Sequence, residues 1–355
     1  MRAIVVTPGS EAPHVREIDR PDPDPGEALV RILRVGIDGT DHEVIAGGHG
    51  GYPEGASRLV LGHEAIGVVK DPNGSDLDAG QLVVPTVRRP VEGGPTDYFE
   101  RGEPDMAPEG HYVERGIAGA HGFMAEYVTS PAEFLVPVPT ALAETGFLIE
   151  PISNVEKALT LARASRSAFE WDPESAMVLG NGPLGLLAVG LLRAAGFDRV
   201  YCLGRRDRPD PTIDIVERLG ATYVDSREDT LREIPDVHEP MDLVFEATGH
   251  APHAFETIDL LAPNGVGALL GIPGDRSITL DGGRLHREFV LSNKALVGSV
   301  NSSVPHFRAA IDTLEAFPEW LAEDVITDVF APDEVESAFE TGDDRIKSVI
   351  EFDTL

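Results

Sequence analysis

Cysteine is almost absent from this chain. Cys202 is the one cysteine among 355 residues, so no disulfide can form within the chain and no four-cysteine metal site can be built. No apolar run reaches the roughly 18 residues of a membrane span, and the N-terminus opens on a strand pattern rather than a signal peptide. We therefore expect a cytoplasmic protein without a membrane segment.

Positive charge is scarce as well. The chain has 29 lysine and arginine residues against 61 acids, a net charge of −32, and only four of the bases are lysines. This excess disfavours nucleic acid and anionic membranes as partners. The apolar content of 42% argues against disorder, and the acids are spread along the chain. Such an acidic, lysine-poor composition suits concentrated salt, where repulsion is screened within about 3 Å at ~1 M.

The apolar runs change character near residue 150. Before that point they are short and broken by glycine and proline, which is typical of an all-β, barrel-like domain. Strand and helix patterns then alternate, which indicates a doubly wound parallel sheet. We predict an α/β protein with a β-rich catalytic domain over residues 1–153, a dinucleotide-binding domain over 154–299 and a return to the first domain over 300–355. Residues 88–122 give the weakest structural signal.

Residues 176–203 read as strand, glycine turn, helix and strand. Gly180, Gly182 and Gly185 have the spacing GxGxxG at the turn. The first two let the backbone approach a pyrophosphate, the third lets the helix pack against the strand, and the helix N-terminus offers free N–H groups. In this βαβ setting the motif predicts dinucleotide binding. The loop residues expected at the cofactor are Gly180, Asn181, Gly182, Pro183, Leu184 and Gly185.

The end of the second strand discriminates between the two nicotinamide cofactors. In NAD-binding proteins an acid about 20 residues after the motif usually holds the ribose hydroxyls. Here Gly204 is followed by Arg205 and Arg206, whose guanidinium groups suit a 2′-phosphate. We predict NADP as the preferred cofactor, with NAD also accepted. The alternative is that both arginines only balance the nearby Asp207 and Asp210.

Several further segments carry a family resemblance. Together with the glycine motif they resemble, in order and over essentially the whole chain, the zinc-dependent medium-chain alcohol dehydrogenases. The segments at 148–154, 204–211 and 297–303 are most similar to the glucose dehydrogenases of archaea, above all those of halophiles. The resemblance implies a Rossmann domain joined to a GroES-like β-barrel catalytic domain. The segments are VGIDGTDHE (35–43), LGHEAIGVV (61–69), GFMAEYVTS (122–130), LIEPISN (148–154), GRRDRPDP (204–211) and VGSVNSS (297–303).

Four residues in these segments are the candidate ligands of a catalytic zinc. Catalytic zinc takes three protein ligands and keeps one position open. The resemblance implies a first shell of Asp38, His63 and one acid. That acid is Glu150, directly or through water, with Glu64 able to exchange. From the residues alone, a solvated His-Glu pair and a turn aspartate stay open as alternatives.

Asp38 is a departure from the family, which usually has cysteine at this position. Zinc accepts a carboxylate oxygen at about 2.0–2.2 Å, so the change is chemically allowed. A harder ligand also lets manganese or magnesium enter more readily. Many relatives bind a second, structural zinc through four cysteines, and residues 88–122 contain none. We therefore expect one catalytic zinc per chain and no structural zinc.

The resemblance also implies roles for individual residues. Thr40 would carry the proton from the sugar, within a catalytic set that also holds His63, Glu64 and Glu150. The substrate-binding residues would be Thr40, Glu114, Glu150, Asn154 and Asn301. An ordinary surface position is the alternative for Glu114. The remaining cofactor contacts would be Thr248, Leu270, Gly271, Ile272, Ser299, Val300 and Asn301.

These observations predict an NADP-preferring glucose 1-dehydrogenase activity. It would convert D-glucose and related aldoses to glucono-1,5-lactone by zinc-assisted hydride transfer, as in a modified Entner–Doudoroff pathway. The alternatives are a polyol or secondary-alcohol dehydrogenase, and a metal-free quinone reductase or NADPH-binding protein. The metal-free alternatives are disfavoured by five retained residues, Asp38, Thr40, His63, Glu64 and Glu150. We expect a sugar as the small-molecule partner and a homodimer or homotetramer as the assembly.

The charge excess generates the first testable prediction. With a net charge of −32, the folded state repels itself when counterions are scarce. Because ~1 M salt shortens the screening length to about 3 Å, the melting temperature should rise with potassium chloride well beyond physiological strength. Thermal unfolding followed by circular dichroism from dilute buffer to molar salt checks this. A flat or falling melting temperature would show that the acidity is not an adaptation to salt.

Overall fold

The computed structural model describes residues 1–10, 12–342 and 344–355. These residues form strands and helices in an order that follows the sequence patterns closely. The strands β1 to β19 are, in order, Arg2–Val6, His14–Glu17, Glu27–Gly36, Leu59–Val60, Glu64–Asp71, Leu82–Pro85, Arg88–Pro90, Tyr112–Arg115, Gly119–Ala120, Tyr127–Pro131, Leu135–Pro137, Ser175–Leu179, Arg199–Gly204, Thr222–Asp225, Met241–Glu246, Leu261–Leu269, Ala295–Gly298, Ile326–Phe330 and Lys347–Glu351.

The described α-helices range from 4 residues (Asp97–Glu100) to 16 residues (Ile149–Ala164). Among the described residues, none of them has the length and apolar character that a bilayer crossing requires. The α-helices α1 to α11 are, in order, Gly39–Ile45, Asp97–Glu100, Ile149–Ala164, Pro183–Ala194, Pro211–Arg218, Ile234–Val237, Ala251–Leu260, Gly282–Ser292, Val304–Ala316, Glu319–Val325 and Val335–Ala338.

A first compact unit contains residues 1–153, 301–315 and 325–355. Its main sheet has the strand order β11-β6-β5-β3-β19-β18, and β10 also pairs with β3. The central strand β3 reads EALVRILRVG, is rich in apolar and β-branched side chains, and is buried along most of its length. Its C-terminal residues pair with β5 on one side and with β19 on the other. Strands from the two ends of the sequence therefore meet at β3, as a C-terminal return requires.

A second compact unit contains residues 154–300 and 316–324. Its six strands are all parallel, in the order β14-β13-β12-β15-β16-β17. Strand β12 is buried throughout, because a parallel sheet carries helices on both faces. The strand order reverses at β12, and ligands of such sheets bind beyond the carboxyl ends of the strands at that point. The predicted doubly wound sheet is confirmed.

Residues 88–122 are ordered, although their sequence pattern is weak. Strands β7, β8 and β9 form a small sheet of their own. The Arg88 Nε atom donates to Glu114 Oε1 at 3.0 Å, and its guanidinium lies 3.7 Å from the ring centre of Tyr112. The buried Arg89 donates to Thr86 and Ser130. Buried guanidinium groups stabilise this lobe, and hydrophobic periodicity carries no signal for such contacts.

Candidate functional site

The glycine loop after β12 has the geometry of a phosphate-binding turn. Gly180 has φ +113°, a conformation that other residues rarely adopt. A Cβ atom on Gly185 would lie 1.9 Å from the carbonyl oxygen of Gly180, so only glycine lets α4 approach the strand. A Cβ on Gly182 would meet nothing within 4 Å. Gly182 also caps α4 without a side-chain hydrogen bond, so the helix N-terminus offers its N–H groups to an anion.

The other predicted cofactor residues of this unit follow parallel strands. Thr248 follows β15, the segment from Leu270 to Ile272 follows β16, and Ser299 and Val300 follow β17. A Cβ on Gly271 would lie 2.1 Å from the backbone nitrogen of Gly249, so these two loops are in close contact. The sheet thus places these residues at one edge, beyond the carboxyl ends of its strands. Asn301 follows this segment with a left-handed backbone, φ +57°.

The two arginines after β13 differ in their surroundings. The Nε atom of Arg206 lies 3.9 Å from Asp210 Oδ2, and its backbone N–H donates to the Tyr223 hydroxyl at 2.8 Å. Arg205 is exposed, and its guanidinium has no ion pair within the described part of the chain. Asp207 is paired with Arg227 instead. Arg206 therefore has a nearby acid that balances its charge. Arg205 has no such acid among the described residues.

Four potential metal ligands of the first unit gather around one buried histidine. His63, Glu64 and Glu150 form one group whose ligand atoms lie within 4.8 Å of one another. His63 forms a second such group with Asp38 and Asp41. His63, Glu64 and Glu150 are each at most 5% exposed. The residues that the sequence identified as candidates on separate segments are thus brought together.

Local structure orients Asp38 toward His63. Asp38 caps α1, where its Oδ1 accepts the backbone N–H of Asp41 at 3.1 Å, and the Asp41 carboxylate accepts the N–H of Asp38 in return. This reciprocal capping box uses one oxygen of Asp38. The other oxygen, Oδ2, lies 3.5 Å from His63 Nε2. The cap therefore fixes the side chain while leaving one oxygen for a ligand.

A buried ion pair stands beside this group. Lys347 Nζ on β19 lies 2.5 Å from Glu64 Oε2, and both side chains are 2% exposed. Gly36 pairs with Glu64 across β3 and β5, and a Cβ on Gly36 would lie 2.2 Å from Glu64 Oε2. Any larger residue at position 36 would clash with the Glu64 carboxylate. Glu64 is therefore held by a lysine from the far end of the sequence.

The titration behaviour of the group reflects crowded, buried carboxylates. Burial opposes ionisation of Asp38, yet the charge of His63 and the bond to it hold the pKa of Asp38 well below its usual range. Burial raises the pKa of Asp41 to about 7, opposed by His63 and supported by the charge of Asp38. Burial also raises the pKa of Glu64, and the charge of Lys347 limits that rise. Burial would lower the pKa of His63, but the neighbouring carboxylates, Asp38 foremost, raise it well above normal.

These donors fit a divalent cation. His63 Nδ1 and Asp41 Oδ1 are buried without a hydrogen-bond partner among the described residues and face each other at 3.9 Å. Several carboxylates share one imidazole and one ammonium group as their nearby positive charges. Such a cluster is costly unless a cation compensates it. One imidazole with carboxylate oxygens is a donor set that zinc accepts, and its hardness also suits manganese.

The remaining predicted site residues lie in different settings. Thr40 is half-buried in the first turn of α1, two residues after Asp38. Glu114 is buried on β8 and is paired with Arg88, so one of its oxygens is already engaged. Asn154 is on α3, four residues after Glu150.

Two residues of the group were missed in the sequence. The signal for Asp41 was present, because an acid three residues after a capping aspartate is typical of a capping box. Lys347 carried one weaker signal, as one of only four lysines in the chain and one that falls on an apolar strand pattern. Its partner could not be foreseen, since the pairing of β19 with β3 brings together residues almost 300 positions apart.

The chain matches two family models. Residues 24–140 match the alcohol dehydrogenase GroES-like domain, and residues 143–352 match the glucose dehydrogenase C-terminus. It is 62% identical to glucose 1-dehydrogenase 1 of Haloterrigena turkmenica, and the match covers 100% of both chains. The predicted pairing of a GroES-like domain with a Rossmann domain is confirmed.

The chain is also similar to solved structures of dehydrogenases. One is a Haloferax mediterranei glucose dehydrogenase in complex with NADP, Zn and gluconolactone, 60% identical, with a TM-score of 0.98 and coverage of 100% of both chains. The 2R,3R-butanediol dehydrogenase of Bacillus subtilis has a TM-score of 0.81 at 22% identity, with 99% of each chain covered. The second likeness establishes the fold alone.

The buried ion pair supports the second prediction. The variant Lys347→Met leaves the Glu64 carboxylate buried without its ammonium partner, which typically costs about 3–5 kcal/mol. The urea midpoint of the metal-stripped protein should fall accordingly, and the second change Glu64→Gln should recover much of the loss. Lys70→Met, at an exposed lysine, is the matched control and should change little. If both lysine variants have the same small effect, Lys347 does not hold Glu64.

Proposed function

The chain belongs to the glucose dehydrogenase family of medium-chain alcohol dehydrogenases, and we propose that it oxidises D-glucose at C1 to glucono-1,5-lactone with NADP as hydride acceptor. The observation that carries the proposal is the gathering of Asp38, Glu64 and Glu150 around His63. A relative 60% identical over its whole length is described in complex with NADP, Zn and gluconolactone. The substrate class, cofactor and metal all follow from that combination.

We propose that Asp38, His63 and Glu150 hold one zinc ion, with Glu64 as the exchanging acid. When bound, zinc supplies Lewis-acid polarisation of the sugar's C1 hydroxyl, and the nicotinamide supplies the hydride acceptor. The capping bond keeps Asp38 in a fixed rotamer with Oδ2 toward His63. Lys347 binds the Oε2 atom of the Glu64 carboxylate. Glu64 can thus be kept from the metal or released to it by a small side-chain movement.

Proton removal is assigned to Thr40. Oxidation at C1 releases the hydroxyl proton as well as a hydride, and the Thr40 hydroxyl would accept that proton while its own proton passes to solvent water. Thr40 lies in the first turn of α1, two residues after the capping Asp38, and is half-buried, which supports this role. For the other sugar hydroxyls we propose Glu114, Glu150, Asn154 and Asn301.

NADP binding is assigned to the second unit. The open N-terminus of α4 and the space at Gly182 suit the pyrophosphate, and Arg205 and Arg206 suit the 2′-phosphate. Arg205 has no ion pair among the described residues, which supports this assignment over simple charge balance.

The assembly we propose is a homodimer or homotetramer. Strand β17 has a neighbour on one side only, and several large apolar side chains nearby are exposed, among them Val290, Leu291 and Val300. An open strand edge beside apolar side chains favours association. Sedimentation equilibrium at molar salt should therefore give two or four times the chain mass of 38.1 kDa. A monomer would contradict this assembly. We place the enzyme in the cytoplasm, which cell fractionation tests.

The reaction itself is tested by initial rates at molar potassium chloride. D-glucose with NADP should form NADPH and gluconolactone, faster than with NAD and faster than any simple polyol or secondary alcohol. Chelation should abolish the reaction and zinc should restore it. Asp38→Ala should exceed the about 10–100-fold loss typical of outer-shell metal partners. His286→Asn, at an exposed histidine of α8, is the control. Full activity in metal-free protein, or faster oxidation of a polyol, would contradict the proposal.

A further inference from the structure

A hydrogen-bonded chain of side chains lies beyond the carboxyl end of β15. Glu246, the last residue of that strand, is 2% exposed and accepts the backbone N–H of Thr248 at 2.8 Å. The Thr248 hydroxyl contacts the same carboxylate oxygen. It also lies 3.0 Å from Nδ1 of His253, in the first turn of α7. The ring of His253 meets that of His250 edge to face, with 4.7 Å between their centres.

The hydrogen-bond pattern fixes which nitrogen of His253 carries the proton. A carboxylate only accepts, so the single hydroxyl proton of Thr248 is donated to Glu246. The Thr248 oxygen accepts the backbone N–H of His250 at 3.0 Å. It must therefore also accept from His253, whose Nδ1 carries the hydrogen. In the neutral ring Nε2 then has a lone pair and cannot donate to an anion until it is protonated.

The charges around His253 are those of an anion site. Burial lowers the pKa of His253 to about 4, and the charges of His250 and of Arg205 add to that effect. Within the described part of the chain no carboxylate is among the groups whose charge acts on it, although the chain has 61 acids. Glu246 is reached only through Thr248. Arg205, which has no ion pair of its own, thus shares this site with two imidazoles.

We propose that His253, with His250 beside it, forms the second half of the pocket for the 2′-phosphate of NADP, and that it takes up a proton when the phosphate binds. The inference rests on the proposed NADP preference and adds a titratable partner to Arg205. The proton enters at Nε2 and becomes the hydrogen that the phosphate accepts. The Nδ1–H group of His253 continues to donate to the Thr248 hydroxyl oxygen. Selection of NADP over NAD then depends on pH, whereas contacts to the rest of the cofactor do not.

The direction of the pH dependence follows from the two states of His253. In the free protein its pKa is about 4, so the ring is neutral near pH 7. A bound dianion favours the protonated ring and raises the pKa in the complex. Between the two values, affinity for the 2′-phosphate increases as the pH falls, by at most about tenfold per pH unit for one proton. The affinity for a ligand that lacks the 2′-phosphate does not increase through this effect as the pH falls.

Two fragments of the cofactor isolate this effect without turnover. Adenosine 2′,5′-bisphosphate carries the 2′-phosphate and 5′-AMP lacks it. Calorimetry at fixed molar salt, between pH 5.5 and 8 and in buffers of different ionisation enthalpy, gives both Kd and proton uptake. His253→Asn keeps a polar group near Thr248 and removes the titration. Since the phosphate itself titrates near pH 6, the wild type and this variant are compared with the same ligand.

At pH 6 the variant should bind the bisphosphate about 3–10-fold more weakly than the wild type, within the limit set by uptake of one proton. Its proton uptake should be lower, and its Kd for 5′-AMP unchanged. The difference in bisphosphate affinity between the variant and the wild type should become smaller as the pH rises. Arg205→Met should weaken the bisphosphate at every pH and should still show proton uptake on binding, because the proton enters His253 and arginine itself does not titrate in this range. His286→Asn should match the wild type.

Two results would overturn the inference, and they differ. If the wild type prefers the bisphosphate but His253→Asn has the same preference and the same proton uptake, His253 is not at the phosphate and the NADP assignment stands. If the wild type binds both fragments equally at every pH, the NADP preference is itself wrong and the inference fails with it.

Discussion

Compensation of buried negative charge is the constraint on which the catalytic half of this molecule depends. Asp38, Asp41, Glu64 and Glu150 surround His63 in a region with little water, and Lys347 is the nearby permanent cation. Carboxylates in such a setting must be neutralised, hydrogen-bonded or bound to a cation. The capping box, the ion pair with Lys347 and the raised pKa of His63 are three partial solutions. Under the proposed function, a zinc ion would complete the compensation and give the cluster its catalytic role.

The same scarcity of positive charge shapes the cofactor end. In a chain with 61 acids and 29 bases, an arginine without an acidic partner is informative. Arg205 has none among the described residues, and no carboxylate is among the groups whose charge acts on the neighbouring His253. Around Arg205 and His253 cationic groups lack nearby acids in the part of the chain that the structure describes, which suits an anionic ligand. Around His63 the carboxylates are concentrated, which suits a cation. Most of the other acidic residues are at least partly exposed to solvent, where salt screens their charge.

The sequence predicted the fold because its signals were local. The GxGxxG spacing around Gly180, the apolar run of β12 and the arginines after β13 each lie within a few residues, and the parallel sheet follows from their order. Candidate ligands were recognised from short motifs around Asp38 and His63. Contacts across the sequence were not foreseeable: Lys347 reaches Glu64 only through the pairing of β19 with β3. Residues 88–122 gave the weakest sequence signal because buried arginines contribute to the stability of this lobe and hydrophobic periodicity does not reveal them.

Zinc K-edge X-ray absorption on the zinc-loaded protein tests the central claim most directly. One zinc per chain should show a shell of oxygen and nitrogen at about 2.0–2.1 Å with imidazole scattering, as expected for one histidine and carboxylates. The imidazole contribution should disappear in His63→Ala. A spectrum without imidazole, or an identical spectrum in that variant, would place the zinc elsewhere and contradict the account.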